Sequence, residues 1–179
     1  MFTACRYTVL EKSSSLGGTW HDNTYPGCAC DVPSHLYSYS FYPNPAWSRN
    51  YSRQREILEY LQRAAARCTT DYILHQASCD VSVRFGVTSN IRFGERISCN
   101  TWDAETNTWR VETEAGLQLR ANIIVSGSGA LHVPKLPQFP GMDKFKGDAF
   151  HTALWKKDYE PKGKKVAVIG TGASAVQVI

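Results

Sequence analysis

The chain has 179 residues, 42% of them apolar and 20% charged, with a net charge of +4. Those values fit a folded globular chain and exclude disorder of the whole sequence. The scattered basic residues form no patch for nucleic acid, and phosphorylated cofactors would satisfy the small positive excess equally well.

No apolar run approaches the ~20 residues of a membrane-spanning helix, and Met1 to Lys12 lacks a signal-peptide core. The six cysteines lack paired CxxC spacing. Cys28 and Cys30 form CxC with no second pair nearby, so all six read as reduced thiols of a cytoplasmic protein, with no metal.

In chain order, Arg6 to Leu10 reads as a short strand, and the Ser- and Gly-rich stretch 13–19 as a loop. Residues 23–50 are rich in aromatics, prolines and small residues without helical or strand period, and a loop this long is often functional. Ser52 is a plausible N-cap for a helix carrying Ile57, Leu58, Leu61, Ala64 and Ala65 at helical spacing. An antiparallel meander follows: Ile97 to Trp102, a strand around Trp109 and Val111, and a third around Leu117 and Leu119. Its turns are expected at Asp103–Asn107 and Glu114–Gly116.

Ile123 to Val125 reads as a buried strand running into Ser126-Gly127-Ser128-Gly129. The three prolines of 133–141 exclude helix and give a stiff connector. Val166 to Ile169 reads as a second buried strand. It feeds Gly170-x-Gly172-x-x-Ala175, the pattern that a dinucleotide pyrophosphate requires. Gly170 permits the tight turn, Gly172 the close approach of backbone to phosphate, and Ala175 close packing of helix on strand. Gly170, Thr171, Gly172, Ala173 and Ser174 would then aim helix N-terminal amides at negative charge. The competing reading is an ordinary strand–turn–helix. Glu11, at a strand end, stands where a ribose-binding acid stands in such units, although a solvated strand end explains it as well.

Three runs carry a family resemblance: Leu16-Gly17-Gly18-Thr19-Trp20, Tyr25-Pro26-Gly27-Cys28-x-x-Asp31-x-Pro33 on to Phe41, and Phe145-x-Gly147-x-x-x-His151-x-x-x-Trp155. The first two resemble the flavin-facing loop of flavin-dependent monooxygenases of the Baeyer–Villiger and flavin-containing types. The third is similar to the Baeyer–Villiger fingerprint ahead of the NADPH motif, with Lys156 where the family usually has Pro or Asp. The resemblance covers nearly the whole chain except residues 68–84, which read as an insertion of non-family origin.

The resemblance implies an α/β, Rossmann-like two-dinucleotide flavoprotein fold, incomplete at both ends. A partial FAD domain over 1–140 would lack its first strand and glycine motif, and 141–179 would be linker and the start of an NADP domain. It implies FAD and NADPH as cofactors and a small organic substrate with O2. The reaction would be oxygen insertion into a ketone, or N- or S-oxygenation, through a C4a-peroxyflavin. Glu11 would hold the FAD ribose, Ile97 the adenine through its backbone, and Gly18, Thr19, Trp20 and Tyr37 the flavin. Asp31 would sit near the flavin's reactive edge, and His151 would orient the interdomain linker, with Trp155, at the junction of the two parts. A chain so cut is expected to be inactive alone and to bind FAD poorly. The alternatives are a non-catalytic remnant of the family and a related flavoprotein reductase.

Overall fold

The computed structural model describes residues 6–67 and 87–179; the expected insertion at 68–84 lies outside them. Strand β1 (Val9–Glu11) lies slightly later than the Arg6–Leu10 expected from sequence. It pairs in parallel with β2 (Ile91–Phe93), Val9 opposite Ile91 and Glu11 opposite Phe93. The ladder sets the position of the strand: beyond it the Glu11 carbonyl accepts from the Glu95 amide at 2.9 Å and the Ser13 carbonyl from Gly94 at 3.1 Å.

The meander forms as read. Strands β3 (Ile97–Asp103), β4 (Thr108–Thr113) and β5 (Gln118–Ala121) make one antiparallel sheet in that order. Cross-strand pairs include Trp102 with Trp109 and Val111 with Leu119. The first hairpin turns through Asn107 at φ 51°, a left-handed position that Asn tolerates. The second turns through Gly116 at φ 87°, with the Gly116 amide bonded to the Thr113 carbonyl at 3.0 Å.

Helix α1 (Thr19–Asp22) is a single turn, and α2 (Gln54–Arg67) is the long helix of the chain's described part. Of the stripe read from its sequence, Ile57 and Ala64 are buried, together with Tyr60, which that reading left out. The rings of Tyr39, Tyr42 and Trp47 pack on Tyr60 at centroid distances of 6.0, 5.6 and 5.1 Å. The Tyr60 hydroxyl accepts from the Tyr39 amide at 2.8 Å and donates to the Tyr42 carbonyl at 2.7 Å. The aperiodic loop 23–50 is thus held by one tyrosine. The Ser52 hydroxyl, expected to cap α2, bonds the buried Ser34 hydroxyl at 2.9 Å instead, and Ser34 donates to the Arg49 carbonyl at 2.7 Å. Tertiary hydroxyl pairing has displaced the local cap.

Two expected buried strands do not form. Residues 123–125 and 166–169 join no sheet, and Ile123, Val125 and Ile169 are 77%, 87% and 71% exposed. Their β-branched apolar composition suits a strand covered on both faces. A strand also requires a neighbour for its amides and carbonyls, and among the described residues neither segment has one. The proline connector is non-helical, as read, and Gly141 at φ 85° starts a 3-10 turn over Met142–Lys144.

The chain divides into two compact units, one of Met1–Leu16 with Leu61–Ser128, the other of Gly17–Tyr60 with Gly129–Ile179. The first holds both sheets. The second holds α1, the aromatic loop and α3 (Ala173–Val178).

Candidate cofactor site

The residues expected to face a flavin lie in the second unit. Gly17 adopts φ 129° and Gly18 φ 49°, and the Gly18 carbonyl accepts the His21 and Asp22 amides at 3.0 and 2.9 Å to start α1. The two glycines do different work. A Cβ at Gly17 would stand 2.4 Å from Leu58 Cδ1, so Gly17 admits α2. A Cβ at Gly18 would meet nothing within 4 Å, so this backbone is open. Thr19 is exposed beside it.

Trp20 is buried and donates through Nε1 to the Tyr37 hydroxyl at 2.9 Å. The two rings meet edge to face at 5.3 Å, and the Gln54 amide donates to the Trp20 carbonyl. The geometry therefore joins Trp20 and Tyr37 into one aromatic pair next to an open glycine backbone. Asp31 is exposed at the end of the Tyr25–Cys30 stretch. Burial and then its hydrogen bond to Cys28 push the Tyr25 phenol above its ordinary value, and burial pushes the Cys28 thiol up as well. Both stay protonated at neutral pH.

The dinucleotide motif forms a turn into a helix. Gly170 has φ 126°, Gly172 is the N-cap of α3, and the Gly172 carbonyl accepts the Ala175 and Val176 amides at 3.0 and 3.2 Å. A Cβ at either glycine would meet nothing within 4 Å, Thr171 and Ala173 are exposed, and Ser174 is half-buried. Ala175 is buried, although the strand it was expected to pack against does not form. An open backbone ahead of a helix start fits a pyrophosphate, even though the segment before it is not paired as a strand.

A family model described as flavin-binding monooxygenase-like matches residues 5–179. The chain belongs to that family. A Baeyer–Villiger monooxygenase of Streptomyces coelicolor (strain ATCC BAA-471 / A3(2) / M145) is 46% identical over 173 residues, covering 97% of this chain and 30% of that protein. The crystal structure of ε-caprolactone-bound cyclohexanone monooxygenase in its Loose conformation matches at TM-score 0.79 and 33% identity, over 96% of this chain and 31% of that one. The OTEMO complex with FAD and NADP matches at TM-score 0.77 and 31% identity, over 96% and 31%. The fold is thus part of that of Rossmann-type flavoprotein monooxygenases, and the chain spans about 30% of the length of the relatives it matches.

The remaining family positions are structurally distinct. His151 is half-buried and acts locally: its Nδ1 accepts the Ala153 amide at 3.1 Å and caps the 3-10 turn Thr152–Leu154. Trp155 packs edge to face with Phe150 at 5.1 Å and Tyr159 at 6.0 Å. A Cβ at Gly147 would meet only the far end of the exposed Phe145 ring, at 2.7 Å, a side chain free to swing aside. Lys156, the departure from the family pattern, pairs with Asp148, and that hydrogen bond holds the Asp148 carboxyl below its usual range. Glu11 and Ile97 lie in the first unit. The Glu11 carboxylate accepts the Ser13 amide at 2.8 Å, and Ile97 is part-exposed at the start of β3.

Sequence reasoning missed Gln177. Its Oε1 accepts from the Tyr25 hydroxyl at 2.8 Å, and its Nε2 donates to the Ala29 carbonyl at 3.0 Å. The available signal was its position three residues after Ser174, on the same helix face.

Proposed function

We propose that the chain is a segment of an FAD- and NADPH-dependent monooxygenase that oxidises a small organic substrate with O2. Ketone oxidation of the Baeyer–Villiger type is favoured over N- or S-oxygenation by the names of the two relatives at 46% and 41% identity. The observation that carries the reading is the open, side-chain-free backbone at Gly170 and Gly172 leading into α3, in a chain of this family.

Bound FAD and NADPH would supply the hydride transfer and oxygen activation that no side chain can. The residues would bind and orient. Gly170 to Ser174 would hold the NADPH pyrophosphate on their amides. Gly18 and Thr19 would admit the flavin, with Trp20 and Tyr37 offering a rigid apolar pair, fixed by their own hydrogen bond. Asp31, exposed, would place a negative charge near the reactive edge. Glu11 would accept from the FAD ribose and Ile97 offer its backbone to the adenine. His151 would set the path of the linker through its cap on Thr152–Leu154. In this reading residues 1–140 serve FAD and 141–179 begin the NADP part.

The 179 residues by themselves are proposed to lack monooxygenase activity and to bind FAD weakly. Support comes from Ile123, Val125 and Ile169, apolar side chains left open to solvent in segments whose composition calls for burial. No helix among the described residues is long and apolar enough to cross a membrane, and free Cys28, Cys30 and Cys99 support a reducing, cytoplasmic setting.

Two measurements test this. In a chimera, these residues replace the matched segment of the Streptomyces coelicolor relative. Bound FAD with NADPH-dependent ketone oxidation is expected, and a folded chimera without FAD would refute the cofactor reading. The chain alone is titrated with FAD by flavin fluorescence. Tight stoichiometric binding with NADPH-dependent oxygen uptake would refute the proposed inactivity.

A further inference from the structure

Helix α3 (Ala173–Val178) is clamped onto the Tyr25–Ala29 stretch by the side chain of Gln177. Gln177 takes the Tyr25 hydroxyl on Oε1 at 2.8 Å, with the Ala29 amide approaching the same oxygen at 3.4 Å, and returns Nε2 to the Ala29 carbonyl at 3.0 Å. One side-chain amide thus engages both polar groups of the Ala29 backbone, the pairing that a neighbouring strand would supply. The main chain closes on the same spot: a Cβ at Gly27, itself at φ 81°, would stand 2.0 Å from the Gln177 carbonyl oxygen.

We propose that Gln177 is a positioning residue that couples the Gly170–Ser174 turn to the Tyr25–Asp31 stretch, so that ordering one orders the other. The coupling rests on the reading of the first as a nucleotide site and the second as flavin-facing; the clamp itself does not. Its consequence is that pyrophosphate bound at the start of α3 would stiffen the segment carrying Asp31, linking the two cofactor sites through a contact that touches neither cofactor. The direction is reciprocal, as any coupling free energy must be.

The test is amide hydrogen exchange on the 179-residue chain and on Gln177→Leu, Gln177→Glu and Tyr25→Phe. Without ligand, Gln177→Leu and Tyr25→Phe are expected to speed exchange at Ala29, Ala175 and Val176 by roughly fivefold or more, the worth of one hydrogen bond. Gln177→Glu keeps the acceptor for Tyr25 and loses the donor to Ala29, so it should fall between. The Thr113 amide, bonded to the Leu117 carbonyl at 3.0 Å, reports an intact fold and should not change. If Tyr25→Phe leaves Ala175 and Val176 as slow as before, the clamp is overturned. With NADP+ added to the chimera, Ala175, Val176 and Ala29 should all slow, and Ala29 should lose that response when the chimera carries Gln177→Leu. A response retained at Ala29 in Gln177→Leu would overturn the coupling alone. No slowing at Ala175 or Val176 in the chimera without Gln177→Leu would overturn the nucleotide reading and the coupling built on it, while the ligand-free arm still decides the clamp.

Discussion

The indole of Trp20 donates its N–H to the hydroxyl of Tyr37 at 2.9 Å, and the two rings stand edge to face at an interplanar angle of 89°. This contact ties the orientation of the two rings to one another. Replacing Tyr37 by Phe keeps the ring and strands the buried indole N–H. A loss of about 1–3 kcal/mol is expected, read as a lower urea midpoint with an unchanged slope. In the chimera, weaker FAD binding should accompany it. Unchanged stability would show that the indole finds another acceptor.

Tyr60 makes a similar case on a larger scale. Its hydroxyl serves the Tyr39 amide and the Tyr42 carbonyl at once, so Tyr60→Phe leaves two backbone groups of the long loop without a partner. Each is worth about 1–3 kcal/mol when buried. The expected result is destabilisation larger than that of Tyr37→Phe, with limited proteolysis moving first to residues 38–48. Cleavage that starts elsewhere would count against Tyr60 as the anchor.

These two tyrosines show what the sequence could and could not carry. Local signals were legible. Ile57 and Ala64 at helical spacing gave α2, alternation and turn residues gave the β3–β5 meander, and Gly170-x-Gly172-x-x-Ala175 gave the turn into α3. Non-local bonding was not legible. The Ser52 hydroxyl reads as a cap and instead bonds Ser34, 18 residues away. Tyr60 accounts for an aperiodic loop that has no period to read. The Gln177 clamp reaches back to Tyr25 across most of the chain. Ile123–Val125 and Val166–Ile169 have the composition of strands, but composition cannot supply a neighbour to pair with.

Glycines separate packing from binding. Gly27→Ala drives a methyl to within 2.0 Å of the Gln177 carbonyl oxygen at a φ of 81°, a steric and conformational penalty of about 2 kcal/mol or more. Gly172→Ala meets nothing within 4 Å, and its φ of −70° suits any residue, so the cost should stay below about 1 kcal/mol. If the open face is a pyrophosphate cradle, Gly172→Ala in the chimera should weaken NADP+ binding while leaving the unfolding midpoint nearly unchanged. The reverse pattern, intact NADP+ binding with lost stability, would remove the phosphate role from this turn.

Asp103 gives a prediction in pH. It ends β3, and its carboxylate accepts the Glu105 and Thr106 amides at 3.1 and 3.2 Å and faces Arg120 at 3.3 Å. The Thr106 backbone bond is the largest influence, with smaller help from the Thr106 hydroxyl, the Glu105 amide and Arg120, and together they lower the carboxyl below its ordinary 3.8. The group is therefore more acidic folded than unfolded. Its stabilising contribution is fully present above the unfolded value and is lost as pH falls through the lowered folded value. The β3–β4 turn should accordingly hold at neutral pH and loosen only in acid below about 4. Asp103→Asn keeps an acceptor for the two amides but loses the charge that attracts Arg120, so its hairpin should show no such transition. The Thr106 amide chemical shift followed against pH reads this directly. A midpoint below 3.8 in the unaltered chain, absent in Asp103→Asn, is the expected result. A midpoint at or above 3.8 would mean that the turn amides do not favour the charged carboxylate, and that Asn107 with its left-handed φ of 51° shapes the hairpin without the help of Asp103.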